Sequence, residues 1–146
     1  MPDVVTFTID DRRLALRSAA VQEVLRAVAI TPLPGAPTAI EGIIDVRGAI
    51  VPVYDLRRRL GLPAREVHPD DHMVVSRAGP RGLAALRVTR VLELQGIDEA
   101  EVPDPADRIV AGLARMTDGL YLICELDAFL TDAEASDVAI AIARSP

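Results

Sequence analysis

The chain has 146 residues, of which half are hydrophobic, and its formal net charge at pH 7 is −6. This length is enough to bury a core in one domain or in two small subdomains, and the negative charge disfavours nucleic acid and anionic lipid as partners. A lone cysteine, Cys124, excludes an intramolecular disulfide. The N-terminus lacks the pattern of a signal peptide and no run of about 18 apolar residues occurs, so we expect a cytoplasmic protein.

The N-terminal part of the chain has the alternation of β-strands. In residues 5–9, Val, Phe and Ile alternate with Thr, which predicts a half-buried strand. Asp10 and Asp11 supply turn chemistry before a second strand at residues 13–17. Ser18 can then cap one helical turn, and prolines and a glycine from 32 to 37 predict a loop before a short helical turn at about residues 38–41.

Residues 42–62 carry the strongest local signals. β-branched residues lie on both sides of Arg47-Gly48, and glycine readily takes a positive φ, so the pattern predicts two strands joined by a tight turn. Pro52 has no N–H to donate to a neighbouring strand, which places the second strand at a sheet edge or beside a bulge.

A short helix is expected to follow the hairpin. Asp55 is a suitable N-cap, Leu56 is expected to face inward, and Gly61 and Pro63 end the helix after one or two turns. The three arginines of residues 57–59 would form a basic patch on its outer face, for which a solvated surface is the simplest interpretation.

Further strands are predicted in the second half of the chain. Residues 63–71 are polar and bounded by proline, which favours a junction between subdomains, and strands are expected at 73–76, 83–88 and 91–94. Residues 98–107 carry five carboxylates and two prolines, so we expect an exposed, irregular segment.

The C-terminal part combines a hairpin with a helix. The strands predicted at 109–116 and 120–126 flank Thr117-Asp118-Gly119, a strong hairpin turn signal. Thr131 and Glu134 have the spacing of a capping box and predict a terminal helix whose Val138 and Ile142 dock on the strands. Many short strands at even spacing favour closed or nearly closed antiparallel barrels.

No catalytic or metal-binding pattern stands out. His68 and His72 are four residues apart, but Pro69 lies between them and Cys124 is distant, so a metal site is not expected. Residues 79–82 lack the spacing of a phosphate-binding loop, and the acidic residues lack that of a calcium loop. We therefore expect neither an enzyme nor a bound cofactor.

Residues 42–57 read GIIDVRGAIVPVYDLR, which resembles the signature of the CheW family, the adaptor proteins of bacterial chemotaxis. Further matches flank it in order at residues 5–9, 21–24 and 119–123, so that the resemblance covers about residues 4–130. It implies a mainly all-β fold of two small SH3-like, five-stranded antiparallel barrels. The barrels would span about residues 1–66 and 67–130, with a C-terminal helix at about 131–144.

The resemblance also implies partners. It points to a non-enzymatic adaptor that joins the cytoplasmic tip of a chemoreceptor to the regulatory, CheW-like domain of a chemotaxis-type histidine kinase, without nucleic acid, cofactor or direct membrane insertion. One end of the first barrel would offer the kinase an apolar surface. The residues implied in receptor binding are Val21, Glu23, Arg47 and Gly48, and those expected to give structural support are Gly42, Pro52, Asp55 and Leu56. We further expect Glu23 to lie beside Arg47 and to orient it.

Two other functions stay open on the sequence. One is a related adaptor in a pathway that controls pili, gliding or gene expression. The other is a small ligand-binding barrel or hydrolase, which would require a polar pocket with perturbed titratable groups. The sequence also departs from the family at Ala85-Leu86-Arg87, where a Val-Asp-Gly turn is common, and after Gly96, where the segment is shorter. Both departures lie in the half expected to help form a groove between the barrels.

Overall fold

The computed structural model describes residues 3–96, 98–100, 110–116 and 118–144. Strands dominate this part of the chain. Their bounds are β1 Asp3–Ile9, β2 Arg12–Arg17, β3 Val21–Arg26, β4 Ile40–Val46, β5 Ala49–Tyr54, β6 His72–Arg77, β7 Leu83–Val88, β8 Arg90–Gly96, β9 Asp98–Ala100, β10 Val110–Met116 and β11 Gly119–Cys124. The α-helices are α1 Leu56–Arg59 and α2 Asp132–Arg144, and short 3-10 turns occur at Ser18–Ala20, Gly79–Arg81 and Leu126–Ala128.

The strands form two sheets. The first has six strands in the order β8-β1-β2-β11-β10-β9, and the second has five in the order β3-β6-β7-β5-β4. Most neighbours are antiparallel, and each sheet also contains one parallel pair, β2 with β11 and β5 with β7. The expected mainly β fold with a C-terminal helix is confirmed, and the structure adds the short strand β9 and the two parallel pairs to it.

Residues 63–71, where the sequence predicts a junction between subdomains, lie between two strands of one sheet, and the division into subdomains stays a prediction. That segment links α1 to β6, and the flanking strands β5 and β6 belong to the same sheet. The second sheet takes consecutive strands from residues 21 to 88, whereas the first sheet combines both ends of the chain. The physical reason is the pairing of β2 with β11, a contact between distant segments that the polarity of a linker cannot indicate.

Apolar side chains form a core within each sheet and a larger one between them. The cluster inside the first sheet includes Tyr121 and Ile123, and that inside the second includes Val53 and Met73. The largest cluster joins residues of both sheets to α2, and it includes a stacked pair of Tyr54 and Phe129 whose ring centroids are 4.6 Å apart. The two sheets therefore share a continuous interface.

The two edges of the second sheet are connected near Gly42. Thr31, which follows β3, exchanges two backbone hydrogen bonds of 2.9 and 2.8 Å with Ile43 of β4. A Cβ atom on Gly42 would lie 2.6 Å from Ile30 Cγ2 and would also meet the Thr31 carbonyl. Only glycine lets the two segments approach this closely, which is a physical role for the expected support residue. Closure of each sheet into a barrel stays a prediction.

Several local predictions are corrected. Ser18 is the first residue of a 3-10 turn rather than a side-chain cap, and residues 38–41 contain a turn followed by the start of β4 instead of a helical turn. Ala85-Leu86-Arg87 lies inside β7, so the chain does not turn there but at Thr89. Residues 98–100 form β9 instead of irregular structure, and the rest of the predicted acidic segment lies outside the described residues.

The terminal helix begins as predicted. Thr131 N–H donates to Glu134 Oε1 at 2.9 Å, and Glu134 N–H donates to Thr131 Oγ1 at 3.1 Å, the two bonds of a capping box. Val138 and Ala141 are buried on the inner face of α2, with Ile142 packed beside them. Among the described residues, no helix combines the length and the apolar character needed to span a membrane.

Candidate functional site

The hairpin between β4 and β5 has a sharply defined tip. Arg47 has φ 50° and Gly48 has φ 86°, so both central residues are left-handed, as a type I′ turn requires. The Asp45 carboxylate accepts a hydrogen bond of 2.7 Å from the Gly48 N–H and fixes the turn. Asp45 was missed at the sequence level, although an aspartate three residues before a turn glycine is a recognisable signal.

Arg47 is held by Glu23 of β3. Arg47 Nη1 donates to Glu23 Oε2 at 3.0 Å, and Nη2 donates to Oε1, which makes the contact bidentate. The side chain of Arg47 is 70% exposed and that of Glu23 is 19% exposed. The hydrogen bonds from Arg47 also lower the pKa of Glu23. The expected proximity of these two residues is therefore confirmed, and the guanidinium is displayed to solvent in a set orientation.

The other two residues implied in receptor binding flank this pair. Gly48 is exposed at the hairpin tip, next to Arg47. Val21 opens β3, is half-buried and packs against the core between the sheets. The pairing of β3 with β6 shifts register between Val21 and Glu23, a bulge of the kind that re-aims a side chain. The structure thus brings Glu23, Arg47 and Gly48 together, with Val21 two positions away along the bulged strand.

The expected support residues lie towards the end of the hairpin opposite its tip and at the start of α1. Pro52 faces Ile43 in the pairing of β4 with β5. On the other side of β5, the described pairing with β7 involves Val53 and Tyr54. The N–H that Pro52 lacks is therefore not needed for the described pairing with β7. Asp55 Oδ1 accepts a hydrogen bond of 3.0 Å from the Arg58 N–H at the start of α1. Leu56 is only 2% exposed, as its expected inward orientation requires.

The arginines of α1 do not form the expected solvated patch. Arg57 is 4% exposed, donates two hydrogen bonds of 2.8 Å to Asp10 and also donates to the Pro63 carbonyl at 2.9 and 3.1 Å. Arg59 donates to the Phe129 carbonyl at 2.8 Å and lies 5.0 Å above the Phe129 ring. The prediction was wrong for Arg57 because a guanidinium is buried readily when acceptors match its donors, and Asp10 lies far away in sequence.

A second buried arginine fastens residues 63–71, hereafter the crossover segment. Arg87 of β7 donates to Glu41 at 2.6 Å, to Asp71 at 3.4 Å and to the Arg65 carbonyl at 2.7 Å. Burial raises the pKa of Glu41 against the opposing effect of Arg87. Burial also opposes ionisation of Asp71, but hydrogen bonds from the His68 N–H and Arg65 outweigh it, so the pKa of Asp71 is lowered. Arg87 belongs to the Ala85-Leu86-Arg87 segment that departs from the family, and its side chain is the centre of an ion cluster that holds the crossover segment.

The described residues contain no group of three or more His, Cys, Asp or Glu side chains placed to hold a metal ion. A groove of about 600 Å³ lies between β5 and α2 and is lined mainly by apolar side chains, together with the ion pair of Arg81 and Asp132. Tyr54 lies under this groove, and burial raises its pKa to about 12, so its hydroxyl stays protonated.

Comparisons with known proteins agree with this architecture. The family model described as CheW-like domain matches residues 3–134. The chemotaxis protein CheW of Rhizobium meliloti is 30% identical over 115 residues, which cover 77% of this chain and 74% of the relative. Protein FrzA of Myxococcus xanthus is 36% identical over 99 residues, 68% of this chain and 61% of the relative.

A solved structure gives the same assignment. The crystal structure of scaffolding protein TtCheW from Thermoanaerobacter tengcongensis superposes with a TM-score of 0.76 at 33% identity, and covers 86% of this chain and 90% of its own. The chain therefore belongs to the CheW-like domain family and is a non-enzymatic adaptor of the chemotaxis type.

Proposed function

We propose that this adaptor couples chemoreceptors to a chemotaxis-type histidine kinase in the cytoplasm and joins membrane receptor arrays only through these partners. The observation that carries the proposal is the exposed Arg47 guanidinium, held in place by Glu23 at the tip of a rigid hairpin. A preorganised arginine loses little conformational freedom on binding, so its donors contribute more of their energy to the contact. Family membership supports the same role.

The receptor side of the proposal rests on the tip of the β4–β5 hairpin. The two bonds to Glu23 leave other guanidinium donors of Arg47 available for carboxylate or carbonyl oxygens of a receptor helix. Gly48 has no side chain to obstruct that helix, and Val21 would add apolar contact. Glu23 is a positioning residue in this scheme.

The kinase side of the proposal is an apolar contact with the regulatory, CheW-like domain of the kinase. Large hydrophobic side chains are exposed in both sheets, including Ile50 at 48%, Leu92 at 39% and Leu120 at 56%. Each contact of an adaptor is expected to be modest, and the linkage of several contacts in one assembly raises the overall affinity.

The receptor contact is tested with three variants, Arg47→Ala, Glu23→Gln and the double variant. We expect Arg47→Ala to weaken receptor binding by roughly tenfold or more, because charge-assisted hydrogen bonds are lost. Glu23→Gln is expected to weaken it less, and the losses should be non-additive because one residue acts through the other. Binding is measured with a purified receptor cytoplasmic fragment.

Arg58→Ala is the matched control, since it removes the same charge from an exposed helix position away from the tip. Kinase binding should be unchanged in all variants. If Arg47→Ala left receptor affinity unchanged, Arg47 would be a turn residue without a role in binding. If the losses of the two single variants were additive, Glu23 would not position Arg47.

A second candidate is the adaptor of a related chemosensory pathway that controls pili, gliding or gene expression. The similarity to protein FrzA favours it, because that relative has the higher identity over the region that it shares with this chain. Capture of partners from the native cytoplasm separates the two candidates through the identity of the kinase and receptor recovered. Recovery of a small-molecule-metabolising complex instead would oppose both and revive a ligand-binding role.

A further inference from the structure

The chain passes from the first sheet to the second through a very short link. This link is the 3-10 turn at Ser18–Ala20, which connects β2 of the first sheet to β3 of the second. The Val21 N–H donates a backbone hydrogen bond to the Ser18 carbonyl and closes the turn. A single 3-10 turn is a weak element by itself, so contacts with the rest of the fold must hold the link in place.

Two consecutive residues of β6 hold the carbonyl groups of this link, and we call them the β6 clamp. The Ser76 side chain is 0% exposed, and its hydroxyl donates to the Ala20 carbonyl at 3.0 Å. The carbonyl of Arg77, at 3.4 Å, is a longer and weaker alternative acceptor for that hydroxyl. Arg77 Nη1 donates to the Ala19 carbonyl at 3.0 Å. Both ends of the clamp thus join β6 to the backbone of the link.

The clamp acts at the point where β3 begins. Val21 directly follows the link and pairs with Ser76 itself, whereas Glu23 pairs with Val75, so the register shifts between these two pairs. Such a bulge redirects the side chains that follow it. Because the clamp fixes the residue at which β3 starts, it also fixes the position of the bulge.

The position of the bulge determines where the Glu23 carboxylate points. A slip of one residue in the pairing of a strand turns its side chains to the opposite face of the sheet. Glu23 accepts two hydrogen bonds from Arg47, which lies on a different hairpin. The guanidinium is therefore held in its observed place only while Glu23 keeps its own.

We infer that Ser76 and Arg77 are positioning residues of the site proposed for the receptor, because they fix the link and thereby aim Glu23 at Arg47. The inference rests on the proposed receptor contact. Ser76 is fully buried and cannot touch a receptor, so any effect of its hydroxyl on binding must pass through the structure. Arg77 is exposed, which allows its side chain to be changed without opening the core.

The binding test uses Ser76→Ala, Arg77→Ala and Arg77→Lys in the full chain, with a purified receptor cytoplasmic fragment. Ser76→Ala should weaken receptor binding by roughly threefold to tenfold, the equivalent of one hydrogen bond, and should leave kinase binding unchanged. Its loss should be non-additive with that of Glu23→Gln, since one residue acts through the other. Arg77→Lys should restore part of the affinity lost in Arg77→Ala, because an ammonium group can also donate to the Ala19 carbonyl.

A second measurement follows the Arg47 side chain in the free protein. The Nε–Hε resonance of Arg47, observed by NMR in the ¹⁵N-labelled chain, should move in Ser76→Ala towards its position in Glu23→Gln. Thr6→Val is the control, because it removes a buried hydroxyl from β1 in the first sheet and should leave that resonance and receptor binding unchanged. Thermal unfolding followed by circular dichroism checks that every variant is folded.

Two results would overturn the inference. One is a receptor affinity that falls no further in Ser76→Ala than in Thr6→Val, and the other is an Arg47 resonance that Ser76→Ala leaves in place. If Ser76→Ala does not fold, Arg77→Ala is held to the same two criteria. Should Arg47→Ala leave receptor binding unchanged, the proposed receptor contact fails, while the resonance of Arg47 in the free protein still tests the clamp.

Discussion

At the scale of residues, the arginines differ in how many acceptors each one meets. Arg57 and Arg87 are buried because carboxylates and backbone carbonyls accept their hydrogen bonds, which offsets the cost of removing a charge from water. Arg47 is paired with Glu23 alone among the residues that the structure describes, and it remains exposed. The same side chain therefore fastens the fold in two places and is available to a partner in a third.

The pair of Asp10 and Arg57 should make stability depend on pH. Hydrogen bonds from Arg57 hold the pKa of Asp10 below its ordinary value of 3.8. The ionised carboxylate therefore contributes stability above pH 3.8, and this contribution is lost as the pH falls through the lower, folded-state pKa. Asp10→Asn isolates the charge, because asparagine tolerates the φ of 53° at this position.

We expect Asp10→Asn to lower the free energy of unfolding by roughly 1.5–2 kcal/mol at pH 7, the lower part of the range for a hydrogen bond to a charged group, because the Asp10 side chain is 35% exposed. The difference from the parent should shrink as the pH falls below 3.8. Urea denaturation at several pH values measures it, with Asp11→Asn as the control at an exposed neighbour. A difference that is constant with pH would show that the carboxylate charge has no such role.

The sequence permitted some of these residue contacts to be predicted and not others. The proximity of Glu23 to Arg47 was expected only through the family resemblance, since the residues lie on separate strands. The partners of Arg57 and Arg87 come from distant segments that the fold brings together, and polar side chains in a sequence are otherwise expected at the surface. Nothing in the local pattern around either arginine distinguishes a buried guanidinium from an exposed one.

At the scale of elements, local signals were reliable where they act over a few residues. The type I′ turn at Arg47-Gly48, the cap of α1 by Asp55 and the capping box of α2 all follow from side chains within three positions of each other. The start of β3 was harder to predict, because a 3-10 turn and a bulge interrupt the period at residues 18–23. Tertiary pairing with β6 decides the conformation there.

The packing of α1 leads to a prediction about stability. Leu56→Ala should lower the free energy of unfolding by roughly 2–4 kcal/mol, because Leu56 is buried and its removal leaves a cavity in the core between the sheets. Chemical denaturation measures the change. Leu120→Ala is the control, since that leucine is 56% exposed and should change stability by less than about 0.5 kcal/mol. Equal effects of the two substitutions would mean that α1 is not anchored by Leu56.

At the scale of the whole molecule, the two proposed contacts should differ in their response to salt. An apolar kinase interface is little affected by ions, whereas the contact through Arg47 is electrostatic and partly screened. Between about 0.05 M and about 0.5 M NaCl, we expect kinase affinity to change by less than about threefold and receptor affinity to fall by more. Isothermal titration of each partner against the same protein provides the comparison. A steep loss of kinase affinity would make that interface electrostatic.

The mainly β fold could be predicted from the sequence, but the assignment of strands to sheets could not. Alternation of side chains identifies a strand and its buried face, and the period is the same whichever neighbour the strand pairs with. β1 and β2 pair with β8 and β11, which lie far from them in the sequence. Such long-range pairings depend on the complete chain.

The return of the chain to its first sheet has a consequence during synthesis on the ribosome. Strands β3 to β7 end at residue 88, so the second sheet has all its strands before translation finishes. The N-terminal hairpin is made first, but β2 must wait for β11, which ends at Cys124. Until then one edge of that hairpin carries unpaired backbone groups, which are open to association with other nascent chains. A prematurely terminated product that stops after β7 would lack both β8 and β11, so both edges of the hairpin would stay open even with all strands of the second sheet present.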